Sequence, residues 1–372
     1  MRIGVNARLL LSENMEGIPR FTFETTRQMA LDHPDDDFIL FFDRKVKSNF
    51  DFPPNVQKIV IPLQARHPVL WYIWFELLVP LYLKKHHIDV FYTADGYLSL
   101  RADIPTVMVM HDLAYLHFPS HISFVTLKFY QYFVPKYLNR ADTVIAVSEF
   151  VKNDIIARFQ LGKNKVKVAY NAVSRENQIK EVTAPVGIQS KLENHPYFLY
   201  VGALHPRKNI IGLIRGFLHF NATQNGKYRL VLAGRMAWKT DDIKREIDAS
   251  CDVIYIGMIS ESLKYQLLTK AEAMTYVSWF EGFGIPILEA MSTGCPVITS
   301  SVTSMPEVAG DAALLADPSD IGSISNAMQQ VTGNVELRSE LIEKGYKRVG
   351  EFSWKVSAEI IYKELIEKVS KR

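Results

Sequence analysis

"AMTYVSWFEGFGIPILEAMSTGCPVITS", residues 273–300, passes from an apolar run through a glycine-bearing loop and a short amphipathic stretch into a second apolar run. "AMTYVSW" and "PVITS" read as buried strands. Between them, Pro286 suits the first turn of a helix, where its missing N–H costs nothing. Gly294 and Pro296 stop that helix. Strand, loop, helix and strand in this order predict a parallel βαβ unit. Gly282 and Gly284 have no Cβ, so the loop can approach a ligand closely and take unusual φ. A helix start beside such a loop favours an anion.

Two acids complicate that cradle. Glu281 sits on its strand-side lip and Glu289 within about a turn of the helix start. A first-turn acid normally only complements the helix dipole, worth up to about 1 kcal/mol. Beside phosphate it repels unless it is aimed elsewhere. Sugar hydroxyls offer the target, because a carboxylate accepts strong hydrogen bonds from a diol. The expected ligand therefore carries both phosphate and sugar. Alone, the glycine loop would read first as a tight turn with no ligand.

Three further stretches join it. In "VGALHPRKN" (201–209), Arg207 and Lys208 sit at a strand end, just before a helix expected to start on Asn209 as its cap. Arg offers a planar fork to phosphate oxygens and Lys a point charge, so the pair reads as a diphosphate clamp. In "NMEGIPRF" (14–21), Gly17 and Arg20 open the first helix. In "MHDLAYLHFP" (110–119), His111 follows a strand, where loops carry active groups. Other candidates fail. "DHPDDDF" (32–38) reads as a turn, and Pro119 breaks the helical spacing of His117 and His121 that a zinc site would need. No G-x-G-x-x-G follows the first strand, and no G-x-S-x-G or Walker loop occurs.

The βαβ pattern extends in both directions. Seven strands are expected in the first half, beginning at "MRIGVNARLL", "DFILFFD", "VQKIVIP", "DVFYTAD", "PTVMVMHD", "DTVIAVS" and "VKVAYNAV". The second half repeats the alternation with "YFLYVGAL", "YRLVLAG", "DVIYIGM", "AMTYVSW", "PVITS" and "AALLAD". The polar stretch 174–196 separates them. The predicted organisation is α/β, with two doubly wound Rossmann-like domains facing a central cleft: 1–173, a linker at 174–196, 197–350, and a last helix in 351–372. The 372 residues, 48% hydrophobic and 22% charged, suffice for two full cores. A net charge of +3 gives no case for nucleic acid. Two cysteines far apart, Cys251 and Cys295, argue for a reducing compartment and read as small core residues. The N-terminus reads as a strand and not as a signal peptide. "VLWYIWFELLVPLYL" (69–83) is too short to span a bilayer and contains Glu76 and Pro80, so it reads as a buried or membrane-touching helix ending at "KKHH".

Together these stretches resemble glycosyltransferase family 4, the retaining enzymes of GT-B fold, and in particular its mannosyltransferase-like members. The likeness covers nearly the whole chain and is strongest over 200–318: "YVGALHPRKN", "LVLAG", "EGFGIPILEAMSTGCPVITS" and "MPEVAGDAALLADPSD". "GVNARLL", "EGIPRFTFE", "HDLAYLHFP", "ADTVIAVSEFVKNDI" and "YNAV" agree in the first half. The resemblance implies that the C-terminal domain binds a nucleotide-diphospho-sugar and the N-terminal domain the acceptor. It implies that Arg207 and Lys208 hold the diphosphate and Glu289 the ribose. Glu281 then lies near the donor sugar, beside the backbone of Gly282, Phe283 and Gly284, and His111 near that sugar's outer hydroxyls. Gly17 lies near the phosphate, and Met258 and Ile259 meet the base. The last helix crosses back onto the N-terminal domain. Pro19 departs from the family pattern by replacing a second glycine, which stiffens the first loop; Val277 replaces a proline.

The expected activity is transfer of a sugar, with retention, to a hydroxyl of a glycan or lipid-linked glycan in surface polysaccharide synthesis. The donor is GDP-mannose, a UDP-sugar or another nucleotide sugar, and the resemblance of "HDLAYLHFP" to mannosyltransferase-like members favours GDP-mannose. No metal and no cofactor beyond the donor substrate are expected, because Arg207, Lys208 and the loop N–H groups can stabilise the departing phosphate. The expected location is cytoplasmic, at the inner face of the membrane if 69–83 touches lipid. The competing readings are a nucleotide-sugar epimerase of the same fold and a non-enzymatic nucleotide-sugar-binding subunit.

Overall fold

The computed structural model describes residues 1–11, 15, 17–46, 50–173, 192, 195–238 and 240–370. The chain divides into two compact units, Met1–Asn171 with Ser353–Arg372, and Ala172–Phe352. Of the linker expected at 174–196, only 192, 195 and 196 are among the described residues.

All thirteen apolar runs read as strands are strands. The first unit contains β1 (Arg2–Asn6), β2 (Asp37–Phe42), β3 (Val56–Val60), β4 (Val90–Thr93), β5 (Thr106–Met110), β6 (Thr143–Ala146) and β7 (Val166–Val168). They form one sheet in the order β3-β2-β1-β4-β5-β6-β7. The second unit contains β8 (Tyr197–Val201), β9 (Arg229–Ala233), β10 (Val253–Gly257), β11 (Ala273–Tyr276), β12 (Val297–Ser300) and β13 (Leu314–Ala316). Their order is β10-β9-β8-β11-β12-β13. Each pairing is parallel, in register from Arg2↔Asp37 in one sheet and Tyr197↔Arg229 in the other. Runs such as "FILFF" have no polar alternation because helices cover both faces of a parallel sheet. In each sheet the chain builds outward to one side and then restarts on the other. The reversal falls between β1 and β4 in the first sheet, and between β8 and β11 in the second. Ligands of open α/β sheets bind beyond the carboxyl ends of strands at such a reversal.

The last helix, Trp354–Ser370, belongs to the first unit and packs on the helix Ile18–Asp32. Trp354 meets the edge of Phe21, and Tyr362 stacks on His33 with ring centroids 3.4 Å apart. Thr143 donates to the buried Glu364 at 2.8 Å. A helix at Val335–Val349 has no counterpart in the sequence reading. Its exposed positions outnumber its buried ones, so its apolar stripe is too narrow to signal a helix.

The apolar run 69–83 is helical but interrupted. Pro68–Ile73 and Val79–Lys85 are α-helical, and Trp74–Leu78 between them is a wide π turn in which Val79 donates to the Trp74 carbonyl. Pro80 has no N–H to offer the regular ladder, and a π turn accommodates that loss. The turn carries Glu76 inward, where its carboxylate accepts from the Leu100 N–H at 3.0 Å. Burial pushes the Glu76 carboxyl above its ordinary pKa, against that hydrogen bond. Two expectations fail here. Cys251 is exposed and only Cys295 is buried. Asn209 does not cap the following helix through its side chain; it takes a left-handed conformation, φ 54°, and its amide donates to the Pro318 carbonyl at 2.8 Å. Asparagine tolerates that conformation better than most residues, which is why it suits the position.

Candidate functional site

In the second unit the loop after β8 ends in a single 3-10 turn, Pro206–Lys208. The His205 ring nitrogen Nδ1 caps that turn by accepting from the Arg207 N–H at 3.1 Å. The turn aims Lys208 at the neighbouring strand. Its Nζ donates to the Tyr276 hydroxyl at 2.8 Å and to Glu281 Oε1 at 2.5 Å. Tyr276 is the last residue of β11, and Glu281 lies in the loop that follows. The two loops are also tied through backbone, with the Trp279 N–H donating to the Arg207 carbonyl at 3.0 Å. The predicted clamp and the predicted lip acid therefore meet at the β8/β11 reversal.

The charge state of Glu281 follows from this packing. Burial alone pushes its carboxyl up, but Lys208 and Arg207 outweigh burial and hold it below its ordinary pKa. An ionised Glu281 and two cations leave this cluster with one net positive charge, suited to a ligand that brings negative charge of its own. Burial pushes the Tyr276 phenol well up, and the Glu281 charge adds to the shift, so Tyr276 stays protonated.

The loop 281–284 is supported from behind. Ser304 donates its hydroxyl to the carbonyls of both Glu281 and Phe283 at 2.9 Å, and the Glu281 N–H donates to Thr303 Oγ1 at 3.3 Å. Gly284, at φ 105° and ψ 52°, turns the chain into the helix Ile285–Ser292, as Pro286 in its first turn predicts. Glu289 lies on this helix and is paired: Lys264 Nζ donates to its Oε1 at 2.7 Å. Met258 and Ile259 follow β10 directly and precede the helix Glu261–Lys270 that carries Lys264.

In the first unit, His111 follows β5, and Nε2 lies 2.9 Å from the Ala94 carbonyl. A carbonyl only accepts, so Nε2 holds the proton and Nδ1 presents a lone pair. Burial lowers the His111 pKa despite the Ala94 carbonyl, Asp112 and Asp95, so the ring is neutral at pH 7. Gly17 opens the helix Ile18–Asp32 at φ 55°; a Cβ there would meet nothing within 4 Å, so the conformation and not space selects glycine.

The sequence reading missed several supports. Tyr276, Ser304, His205 and Lys264 look like ordinary strand-end, loop and helix residues, and only the fold brings them to the loops. It also missed the buried pair of Arg8 and Asp95, 2.9 Å apart, at the carboxyl ends of β1 and β4. Asn6 donates to the same carboxylate at 2.8 Å, and the Arg8 guanidinium lies 5.1 Å from the Tyr97 ring centroid. No sequence signal pointed to it, because the reversal between β1 and β4 that brings these residues together is a matter of strand order.

Two doubly wound parallel sheets of like strand order, the second with paired cations and acids at its reversal, define a glycosyltransferase of GT-B fold. Residues 187–348 match the family model of glycosyl transferases group 1, and residues 18–177 that of Glycosyltransferase Family 4. The chain belongs to glycosyltransferase family 4, and it is an enzyme. O-antigen chain mannosyltransferase B of Escherichia coli is 28% identical over 357 residues, covering 91% of this chain and 93% of that protein. The O-antigen chain mannosyltransferase RfbU of Salmonella typhimurium is 26% identical over 281 residues, 75% of each. Among solved structures, WaaG, a glycosyltransferase involved in lipopolysaccharide biosynthesis, superposes with a TM-score of 0.73 at 14% identity, covering 98% of this chain and 99% of that one.

Proposed function

We propose that the chain transfers a sugar, with retention at the anomeric carbon, from a nucleotide-diphospho-sugar to a hydroxyl of a glycan or lipid-linked glycan during surface polysaccharide assembly. GDP-mannose is the favoured donor. The observation that carries this reading is the Lys208–Glu281 pair beside Arg207 at the β8/β11 reversal, with Glu289 on the adjoining helix. The bond from the anomeric carbon to the β-phosphate oxygen breaks, and its electron pair stays on phosphate. Arg207 and Lys208 stabilise that charge. The acceptor oxygen attacks from the same face and passes its proton to the departing phosphate. Neither Glu281, held by Lys208, nor any other carboxylate is assigned as a covalent nucleophile. The two cations make the step independent of a metal. By the family resemblance, His111 serves the outer hydroxyls of the sugar, Gly17 the phosphate, and Met258 and Ile259 the base. Likeness to relatives named as O-antigen mannosyltransferases supports both the mannosyl donor and the polysaccharide role.

The test is a donor panel with mixed acceptors. Nucleotide release is expected with GDP-mannose, dependent on acceptor and unchanged by EDTA, and the product's anomeric proton should keep the donor's configuration. An inverted product would remove the mechanism. Turnover confined to a UDP-sugar would remove the donor, and an epimer formed without acceptor would replace transfer altogether.

The same proposal places the first unit at an anionic membrane surface. Among the described residues no helix is long and apolar enough to cross a membrane. The segment 68–85 and the helix Phe124–Arg140 pack together, with Trp71 and Phe129 rings 5.3 Å apart and Tyr72 and Phe133 5.9 Å apart. Their outer faces carry Val69, Tyr72, Leu81 at 63% exposure, Phe124 at 72%, Val125 and Tyr132. The exposed charges on both are all cationic: Lys84, Lys85, Lys128 and Lys136. Their one acid, Glu76, is buried. Apolar side chains ringed by cations suit anionic lipid. Vesicles with about a third phosphatidylglycerol are expected to sediment the protein, and Leu81→Glu with Phe124→Glu to release it. Equal binding to pure phosphatidylcholine would refute the electrostatic part.

A further inference from the structure

Lys264 is out of place by the usual rules of helix stability. It is the fourth residue of the helix Glu261–Lys270, where the positive end of the helix dipole disfavours a cation. It is only 8% exposed, and so is not a solvated surface lysine. Its ammonium donates to Glu289 Oε1 at 2.7 Å and to the more exposed Glu261 at 3.2 Å. Burial alone would lower its pKa, but Glu289 and Glu261 reverse that and raise it to about 12, so the charge is permanent. A buried ion pair of this kind rarely outperforms a well-packed apolar pair in stability, and its best-attested use is to fix geometry.

The geometry it fixes is that of Glu289. This carboxylate is 7% exposed, and among the described residues Lys264 is its only side-chain partner. Oε1 is occupied and Oε2 accepts no hydrogen bond among the described residues. Both side chains lie within the first turn and a half of their helices. Those helices follow β10 and β11, so both residues sit at the carboxyl end of the sheet, where the ligand loops are.

We infer that Lys264 is a positioning residue that holds Glu289 in one orientation, so that the remaining carboxylate oxygen takes the ribose hydroxyls of the nucleotide. The inference rests on the reading of Glu289 as the ribose acid. Lysine, with a single-point contact, suits this role: it takes one oxygen and leaves the other, whereas the fork of an arginine would engage both.

The test compares GDP with 2′-deoxy-GDP, and UDP with 2′-deoxy-UDP, by calorimetry on the full chain. Wild type is expected to favour the ribonucleotide by about tenfold or more, the scale of a charge-assisted hydrogen bond. Lys264→Met should lose most of that ratio while its affinity for the deoxynucleotide stays within about threefold of wild type. Lys264→Arg guards against misfolding, since it retains the ion pair, and it should also lower the ratio because it engages both oxygens. Thermal melting without nucleotide checks that each variant is folded. A wild-type ratio in either folded variant, with the ratio lost in Glu289→Gln, overturns the role of Lys264. A wild-type ratio in Glu289→Gln overturns the ribose reading itself, and the inference with it.

Discussion

Lys208→Ala is expected to reduce kcat by about a thousandfold, the upper range for removing one preorganised donor to a developing oxyanion. The loss should fall on kcat more than on KM, because the charge that Lys208 meets grows as the sugar–phosphate bond breaks. The variant also leaves Glu281 buried without its 2.5 Å partner. Removing one member of a buried pair costs about 3–5 kcal/mol when nothing replaces it. Arg207 still lowers the energy of the Glu281 charge, so the loss should lie toward the bottom of that range. The double variant Lys208→Ala/Glu281→Gln separates the two effects, because it removes the orphaned charge. Stability should return toward wild type while turnover stays low. Wild-type turnover in folded Lys208→Ala would refute the clamp.

Gly234→Ala is expected to be nearly as damaging, by a different route. A Cβ on Gly234 would lie 1.9 Å from the Gly202 carbonyl oxygen, and the residue has φ +141°, which side chains rarely adopt. Its N–H also donates to the Gly257 carbonyl at 2.8 Å, while the Gly202 N–H donates to the Ala233 carbonyl at 2.9 Å. The ends of β8, β9 and β10 are therefore locked backbone to backbone. The contact is with main chain, so no side chain can move aside. We expect a loss of roughly 3 kcal/mol, read as faster hydrogen exchange in β8 and β9, together with weaker nucleotide binding because the loop bearing Arg207 and Lys208 starts at Gly202. Gly162→Ala is the control. Gly162 has φ −61° and open space around its missing Cβ, so its cost should stay within about 0.5 kcal/mol. Equal exchange in the two variants would contradict the account.

Much of this architecture was readable from the chain. Strands buried on both faces are short continuous apolar runs, and every one of them could be placed. The loops that follow β8 and β11 carried their own signals in Pro206-Arg207-Lys208 and Gly282-Phe283-Gly284. Strand order was not readable, since it depends on which crossovers the helices make, and with it went the juxtaposition of Lys208 with Tyr276 and Glu281. Lys264 was hidden for the same reason: its partner is 25 residues away on another helix. Asn209 misled because asparagine serves equally as a helix cap and as a left-handed residue, and only the nearby Pro318 carbonyl decides between them. Cys251 misled because small residues are usually buried, but it lies in the exposed turn before β10.

The second unit's cations are expected to bind a diphosphate. Calorimetry of GDP against GMP, with UDP against UMP alongside, tests it on wild type and Lys208→Ala. The β-phosphate is expected to tighten binding by about tenfold or more in wild type, the range of a charge-assisted contact. In Lys208→Ala that difference should largely vanish. Equal affinity for mono- and diphosphate in wild type, or a difference that survives intact in the variant, would contradict it.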